Sequence, residues 1–193
     1  MCNVNKEMSK NNDDSHSSCP NYSCQISRML NFRKATSNDI EEIWAMVHNA
    51  VDVMIRQNIF QWDNLYPIKE DFQKDVDKNQ LYVGLVNDKI AVMYALNQEC
   101  EKEYENGKWK YKEEPFYIVH RLCVNPAFQN KGIAKSTLLH IEEQLKAKGI
   151  HVIRLDAFHN NPFALRLYDF LGYSRVGYAD WRKGRFFLLE KYF

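Results

Sequence analysis

The residues with the most specific chemistry in this chain are Gln129-Asn130-Lys131-Gly132-Ile133-Ala134, which follow Asn125-Pro126 and open an amphipathic stretch. At a helix start the first backbone N–H groups have no internal partner, and the helix dipole adds partial positive charge there. A diphosphate accepts those hydrogen bonds. Gly132 permits close backbone approach or a positive φ, Ala134 keeps the helix start narrow, and Lys131 and Lys135 add charge. Two other phosphate patterns fail. A P-loop requires glycines where Gln129 and Ala134 stand, and only Lys135-Ser136 match its end; Gly-x-Gly-x-x-Gly is absent.

The elements that must position this segment follow from periodicity. Leu30 to Lys34 alternates as a short strand, and Thr36-Ser37-Asn38-Asp39 is a capping cluster. Ile40, Ile43, Trp44, Val47 and Val51 then form one helical stripe. A loop carrying Gln61-Trp62-Asp63-Asn64-Leu65-Tyr66-Pro67 precedes a second helix, Lys69 to Lys78. Leu81 to Val86 and Ile90 to Leu96 predict a hairpin about Asn87-Asp88. Glu99 to Pro115 is charged and aromatic without a period, which predicts a surface loop. Phe116 to Val124 is a strand ended by Asn125-Pro126. Ile133, Thr137, Leu138, Ile141 and Leu145 share a helix face, with Gly149 just past its end. Val152 to Ala157 reads as a buried strand, and Asn161-Pro162 caps a helix that ends at Gly172. Tyr173 to Tyr178 and Arg185 to Tyr192 are final strands about Arg182-Lys183-Gly184. The order predicts a mixed, mostly antiparallel α/β (α+β) sheet of six to seven strands with about four helices.

Composition bounds the function. The chain has 193 residues, 45% of them hydrophobic, which fits one domain with a real core. A net charge of +1 gives no overall field toward nucleic acid or anionic membrane. No apolar run is long enough to span a bilayer and no secretory h-region opens the chain, so the expected setting is cytoplasmic. Residues 1–28 are too polar to offset their ordering entropy and are expected to be a disordered tail before a domain at 29–193; Met29 is an alternative start. The five cysteines are odd in number and irregular in spacing, which argues against a disulfide framework. Cys2, His16, Cys19 and Cys24 match no paired zinc motif, so no metal is expected.

His120-Arg121-Leu122-Cys123-Val124-Asn125-Pro126-x-x-Gln129-x-x-Gly132-x-Ala134 resembles motif A of the GNAT (GCN5-related) N-acetyltransferases. Asn160-Asn161-Pro162-x-Ala164-x-x-Leu167-Tyr168-x-x-x-Gly172-Tyr173 resembles motif B, at the family's usual separation and with the expected strand between. Arg33-Lys34-Ala35 with Asp39-Ile40 is similar to a common opening of the same family. The resemblance covers everything but the tail. It implies the GNAT fold, splayed between the strands ending at Val124 and starting at Val152, and acetyl-CoA as co-substrate. It further implies that Leu122, Cys123 and Val124 pair with the pantetheine arm. The pyrophosphate would sit on backbone N–H groups of Gln129, Asn130, Lys131, Gly132, Ile133 and Ala134. Asn161 would contact the cofactor, and Tyr168 would protonate the departing thiolate. A homodimer is also a family expectation.

The implied reaction is attack of a primary amine on a thioester. An alkylammonium has a pKa of about 10.4, so its proton must leave before attack. Many family members place a glutamate on the strand before the break, and none stands between Phe116 and Val124. His120, on the same strand face as Leu122, is the titratable candidate. His159, Glu114 or a chain of water molecules are alternatives. Cys123 on a buried strand reads as inert packing rather than a covalent acceptor. Gln61, Trp62 and Tyr66 are expected to wall the acceptor site, as are Trp109 and Tyr111. A non-catalytic acetyl-CoA sensor on the same fold is the competing reading.

Overall fold

The computed structural model describes residues 30–193. The tail, the alternative start at Met29 and the cysteines Cys2, Cys19 and Cys24 with His16 lie outside the described residues.

Seven strands form one sheet: β1 (Asn31–Lys34), β2 (Leu81–Val86), β3 (Lys89–Asn97), β4 (Phe116–Val124), β5 (Val152–Phe158), β6 (Ser174–Trp181) and β7 (Gly184–Tyr192). Their order is β1-β2-β3-β4-β5-β7-β6, and every pair is antiparallel except β4–β5. Four α-helices cover it: α1 (Ile40–Arg56), α2 (Lys69–Asp77), α3 (Ile133–Lys146) and α4 (Pro162–Phe170). This is the mixed, mostly antiparallel architecture expected of the GNAT fold.

Strand alternation sorts the core into two layers. Leu81, Val83, Met93 and Ala95 pack with Ile43, Met46, Val47 and Ala50 of α1 and Phe72 of α2. Tyr94, Val119, Ile153 and Leu155, on the opposite face, pack with Leu138, Ile141 and Leu145 of α3 and Tyr168 of α4. With both faces covered, β3 is apolar almost throughout. Each large buried side chain contributes about 1.5–3 kcal/mol. At the first helix the Arg33 guanidinium grips both Asp39 oxygens at 2.8 Å, and the Thr36 backbone N–H donates to one of them at 2.7 Å. Those contacts give the Arg33/Asp39 spacing a structural reason. Asn87 and Asp88 take φ of 50° and 60°, the two positive values that a two-residue hairpin turn requires.

Glu99 to Pro115 departs from the expected surface loop. It carries a 3-10 turn at Lys102–Asn106, and Tyr104 is buried. Its aromatics complete a small core with Ile118, Ala179 and Leu188. Absence of a period conceals such burial, because short irregular segments bury single side chains rather than a face.

Candidate functional site

The anion cradle begins at the end of β4. The Asn125 side chain accepts from Ala127 N–H at 3.1 Å and donates to Ile90 carbonyl at 2.9 Å, fixing the break. A 3-10 turn at Pro126–Phe128 follows, then Asn130 and Gly132 at φ of 60° and 77°. Alternating left-handed residues turn successive N–H groups to one side, which makes a concave anion nest. From Asn130 to Lys135 no backbone N–H finds an acceptor among the described residues. A Cβ built on Gly132 meets nothing within 4 Å, so the space over it is open. Lys131 donates to the Ala127 carbonyl at 2.9 Å, and Lys135 lies over the Phe170 ring.

Beside this cradle the sheet opens. β4 and β5 pair only from Phe116/Val152 to Val119/Leu155. Beyond Val119 the β5-facing edge of β4, including Leu122, Cys123 and Val124, has no strand partner, while Cys123 still pairs with Met93 on the other side. Free main-chain donors and acceptors along a wedge suit an extended arm carrying amides. The Cys123 thiol is buried in the α1-side core, where burial pushes it up to about 12, so it stays protonated and inert.

A cavity of about 720 Å³ lies where β4 and β5 begin to part. Asp156 of β5 and Tyr168 of α4 both line it. The Tyr168 hydroxyl makes no hydrogen bond among the described residues, and burial pushes its pKa above the ordinary tyrosine range. Burial raises the Asp156 carboxyl to about 6, against the opposing pull of the Tyr104 hydroxyl and the Arg121 charge. Tyr104 donates to Asp156 Oδ1 at 2.8 Å. Asn161 caps α4 by accepting from Ala164 N–H at 3.1 Å, and its amide donates to Gln61 at 2.8 Å. Two residues expected at separate subsites, Asn161 and Gln61, are thus bonded to each other. Gln61, Trp62 and Tyr66 all line the cavity. Trp109 instead packs in the small core with Tyr104, and Tyr111 lies against Tyr192.

On β4, a bulge changes what faces the cavity. Met93 pairs with Cys123 and Ala95 with His120, so Tyr94 opposes both Arg121 and Leu122. Arg121 takes φ of 52°, unusual for a long side chain, and the extra residue breaks the alternation. His120, Arg121 and Leu122 consequently all line the cavity. His120 Nε2 lies 3.0 Å from Asn97 Oδ1 and 3.0 Å from the Glu99 carbonyl, two acceptors, so a neutral ring donates from Nε2. Burial and then the Arg121 charge hold its pKa down to about 4. Glu114 and His159 do not line the cavity.

Sequence reasoning passed over Asp156, Arg121 and Tyr104. Asp156 had a signal: a lone carboxylate inside the apolar run Val152 to Ala157 is costly unless it has a use. Arg121 had none, because a bulge leaves no mark in periodicity.

Residues 44–173 match the model of the acetyltransferase (GNAT) family. A 55-residue stretch is 40% identical to the [ribosomal protein bS18]-alanine N-acetyltransferase of Haemophilus ducreyi, covering 28% of this chain and only 38% of that protein. A GNAT-family acetyltransferase from Streptococcus agalactiae superposes with a TM-score of 0.76 at 22% identity, over 85% of this chain and 95% of that one. The PaiA N-acetyltransferase of Thermoplasma acidophilum, solved in complex with coenzyme A, gives 0.63 at 18% identity, over 85% and 99%. These two likenesses concern the fold. Together with the family match, the wedge and the cradle at its mouth place the chain in the GNAT acetyltransferase family, an acyltransferase family that uses acetyl-CoA.

Proposed function

We propose that this protein transfers the acetyl group of acetyl-CoA to the primary amine of a small acceptor, with Asp156 as general base and Tyr168 as general acid. The observation that carries the reading is the meeting of these two side chains in one cavity where β4 and β5 part. The free N–H run from Asn130 to Lys135 fits a pyrophosphate, and the unpaired edge of β4 fits the pantetheine amides. Acetyl-CoA supplies the activated acyl group; the chain's residues hold it and manage protons.

An ammonium entering the cavity loses hydration, which lowers its pKa, while burial raises that of Asp156. The two affinities converge and the proton passes to Asp156. The neutral amine then attacks a carbonyl that a β4 N–H near Val124 can polarise. Tyr168 donates its proton as charge develops on sulfur, and the second proton leaving the nitrogen restores it. Its hydroxyl, free of other partners, is available for that bond. Holding both reactants in one site supplies much of the rate. His120 suits the base role less well, since its Nε2 is committed and its pKa is held to about 4. The likeness to the bS18-alanine enzyme supports an α-amine as the acceptor group.

Thiol release from acetyl-CoA with a panel of amines tests this. We expect Asp156→Asn and Tyr168→Phe each to lower kcat by roughly 10²-fold or more. With an alkylamine acceptor that enters as its ammonium, log(kcat/KM) should rise with unit slope up to a pH of about 6, where Asp156 titrates, and level off above it until the free ammonium itself titrates. Unchanged rates in both variants would overturn the assignment, and acetyl-CoA binding without turnover of any amine would favour the sensor.

A further inference from the structure

Several charged residues line the acceptor cavity, and among them the placement of Arg121 is unusual. Arg121 sits at the bulge, with its backbone at φ of 52°. A non-glycine residue in that region costs on the order of 1 kcal/mol or more, and such strain concentrates at functional sites. The bulge lets Arg121 and its sequence neighbour His120 both line the cavity.

Once there, its donors are underused. A guanidinium has five N–H groups. Nη1 donates to the Tyr66 hydroxyl at 3.0 Å, and Nη2 donates to Asp75 of α2. Nε, fully buried, has no partner among the described residues. Such a group signals an unfilled role, because buried donors are almost always satisfied. A carboxylate is the group a planar guanidinium binds most specifically.

The opposite pole stands close by. Asp156 is one residue past the last β4–β5 rung and Arg121 two residues past it. Neighbouring strands start roughly 5 Å apart, so a fixed cation and a carboxylate flank one short space. A second ammonium placed against Arg121 would meet like charge. A neutral amine would leave the Arg121 donors unanswered.

Building on the acetyltransferase reading of this cavity, we propose that Arg121 determines specificity and selects an acceptor with a carboxylate next to its amine, a free α-amino acid. The carboxylate docks on Arg121 and the ammonium on Asp156. Attack forms the amide bond and breaks the thioester; of the two protons the ammonium loses, one passes to Asp156 and on to solvent, and the other restores the proton that Tyr168 gives to the thiolate.

The test compares α-amino acids with their amides, with the amines lacking the carboxyl group, and with spermidine, following CoA release. The wild-type protein should favour the acids over their amides by ~10²-fold or more in kcat/KM. In the paired variant Arg121→Gln/Asp75→Asn, which leaves no buried charge unmatched, that preference should fall to within about threefold. Arg121→Lys should retain part of it, since charge persists without the planar fork. Thermal unfolding monitors whether the variants fold. Amides or spermidine used as well as the acids, or a preference that survives in a folded paired variant, would overturn the proposal. If no amine releases CoA, the catalytic reading fails instead. Calorimetric titration of an amino acid against its amide then decides the role of Arg121: tighter binding of the acid supports it, and equal binding refutes it.

Discussion

Tyr104 donates its only proton to Asp156 Oδ1 at 2.8 Å, and that bond stabilises the charged carboxylate in a site where burial opposes it. The tyrosine sits among Trp109 and Trp181, so it cannot easily turn away. It leaves the other oxygen of Asp156 for the acceptor. Tyr104→Phe keeps the packing and removes the bond. The pKa of Asp156 should then climb further, moving the acid limb of kcat/KM upward by roughly one pH unit. A pH–rate profile checks this; an unmoved limb in a folded variant would show that Tyr104 packs the site without tuning it.

The segment between β3 and β4 is held where Tyr104 can act by a buried ion pair at its far end. Arg154 of β5 donates to Glu190 of β7 at 3.1 Å, both side chains being almost wholly buried. Glu190 also accepts from Lys110 N–H at 2.8 Å, and Arg154 donates to the Tyr111 carbonyl at 3.1 Å. The guanidinium is sandwiched by Trp109 and Phe116 rings. Removing one partner strands the other's charge. Glu190→Gln should cost about 3 kcal/mol in denaturant unfolding, with an Arg154→Met/Glu190→Leu pair costing less. Loss of the single variant's activity beyond its loss of stability would show that the excursion positions the base.

Across the whole molecule, stability and catalysis pull in opposite directions at Asp156. A carboxyl raised to about 6 in the fold, from about 3.9 unfolded, binds its proton more tightly when native. Its protonated form stabilises the fold below about pH 4, and that contribution is lost as pH rises through 6. Asp156→Asn should therefore raise stability at pH 7 by about 3 kcal/mol and by nothing near pH 4, while abolishing most activity. Melting temperatures at the two pH values test the sign. Asp39 behaves oppositely. The Arg33 bond holds it to about 2, so its contribution is present above about pH 4 and is lost as pH falls toward 2.

The sequence by itself determined the local parts: helix stripes, the Asn87-Asp88 turn, the Asn161 cap and the cradle from Gln129 to Ala134. Each depends on residues within one or two turns of chain, whereas the splay between β4 and β5 was expected only from the resemblance to the GNAT family. Which charges share the cavity was decided only by tertiary structure. The β4 bulge set Arg121 beside His120 at the cavity, β5 brought in Asp156 from the neighbouring strand, and an aperiodic excursion buried Tyr104 against it. His120, which chain order alone offers as the base, is engaged by Asn97 and Glu99. Proton affinity depends on burial and on charges far away in sequence, and those exist only once the chain has folded.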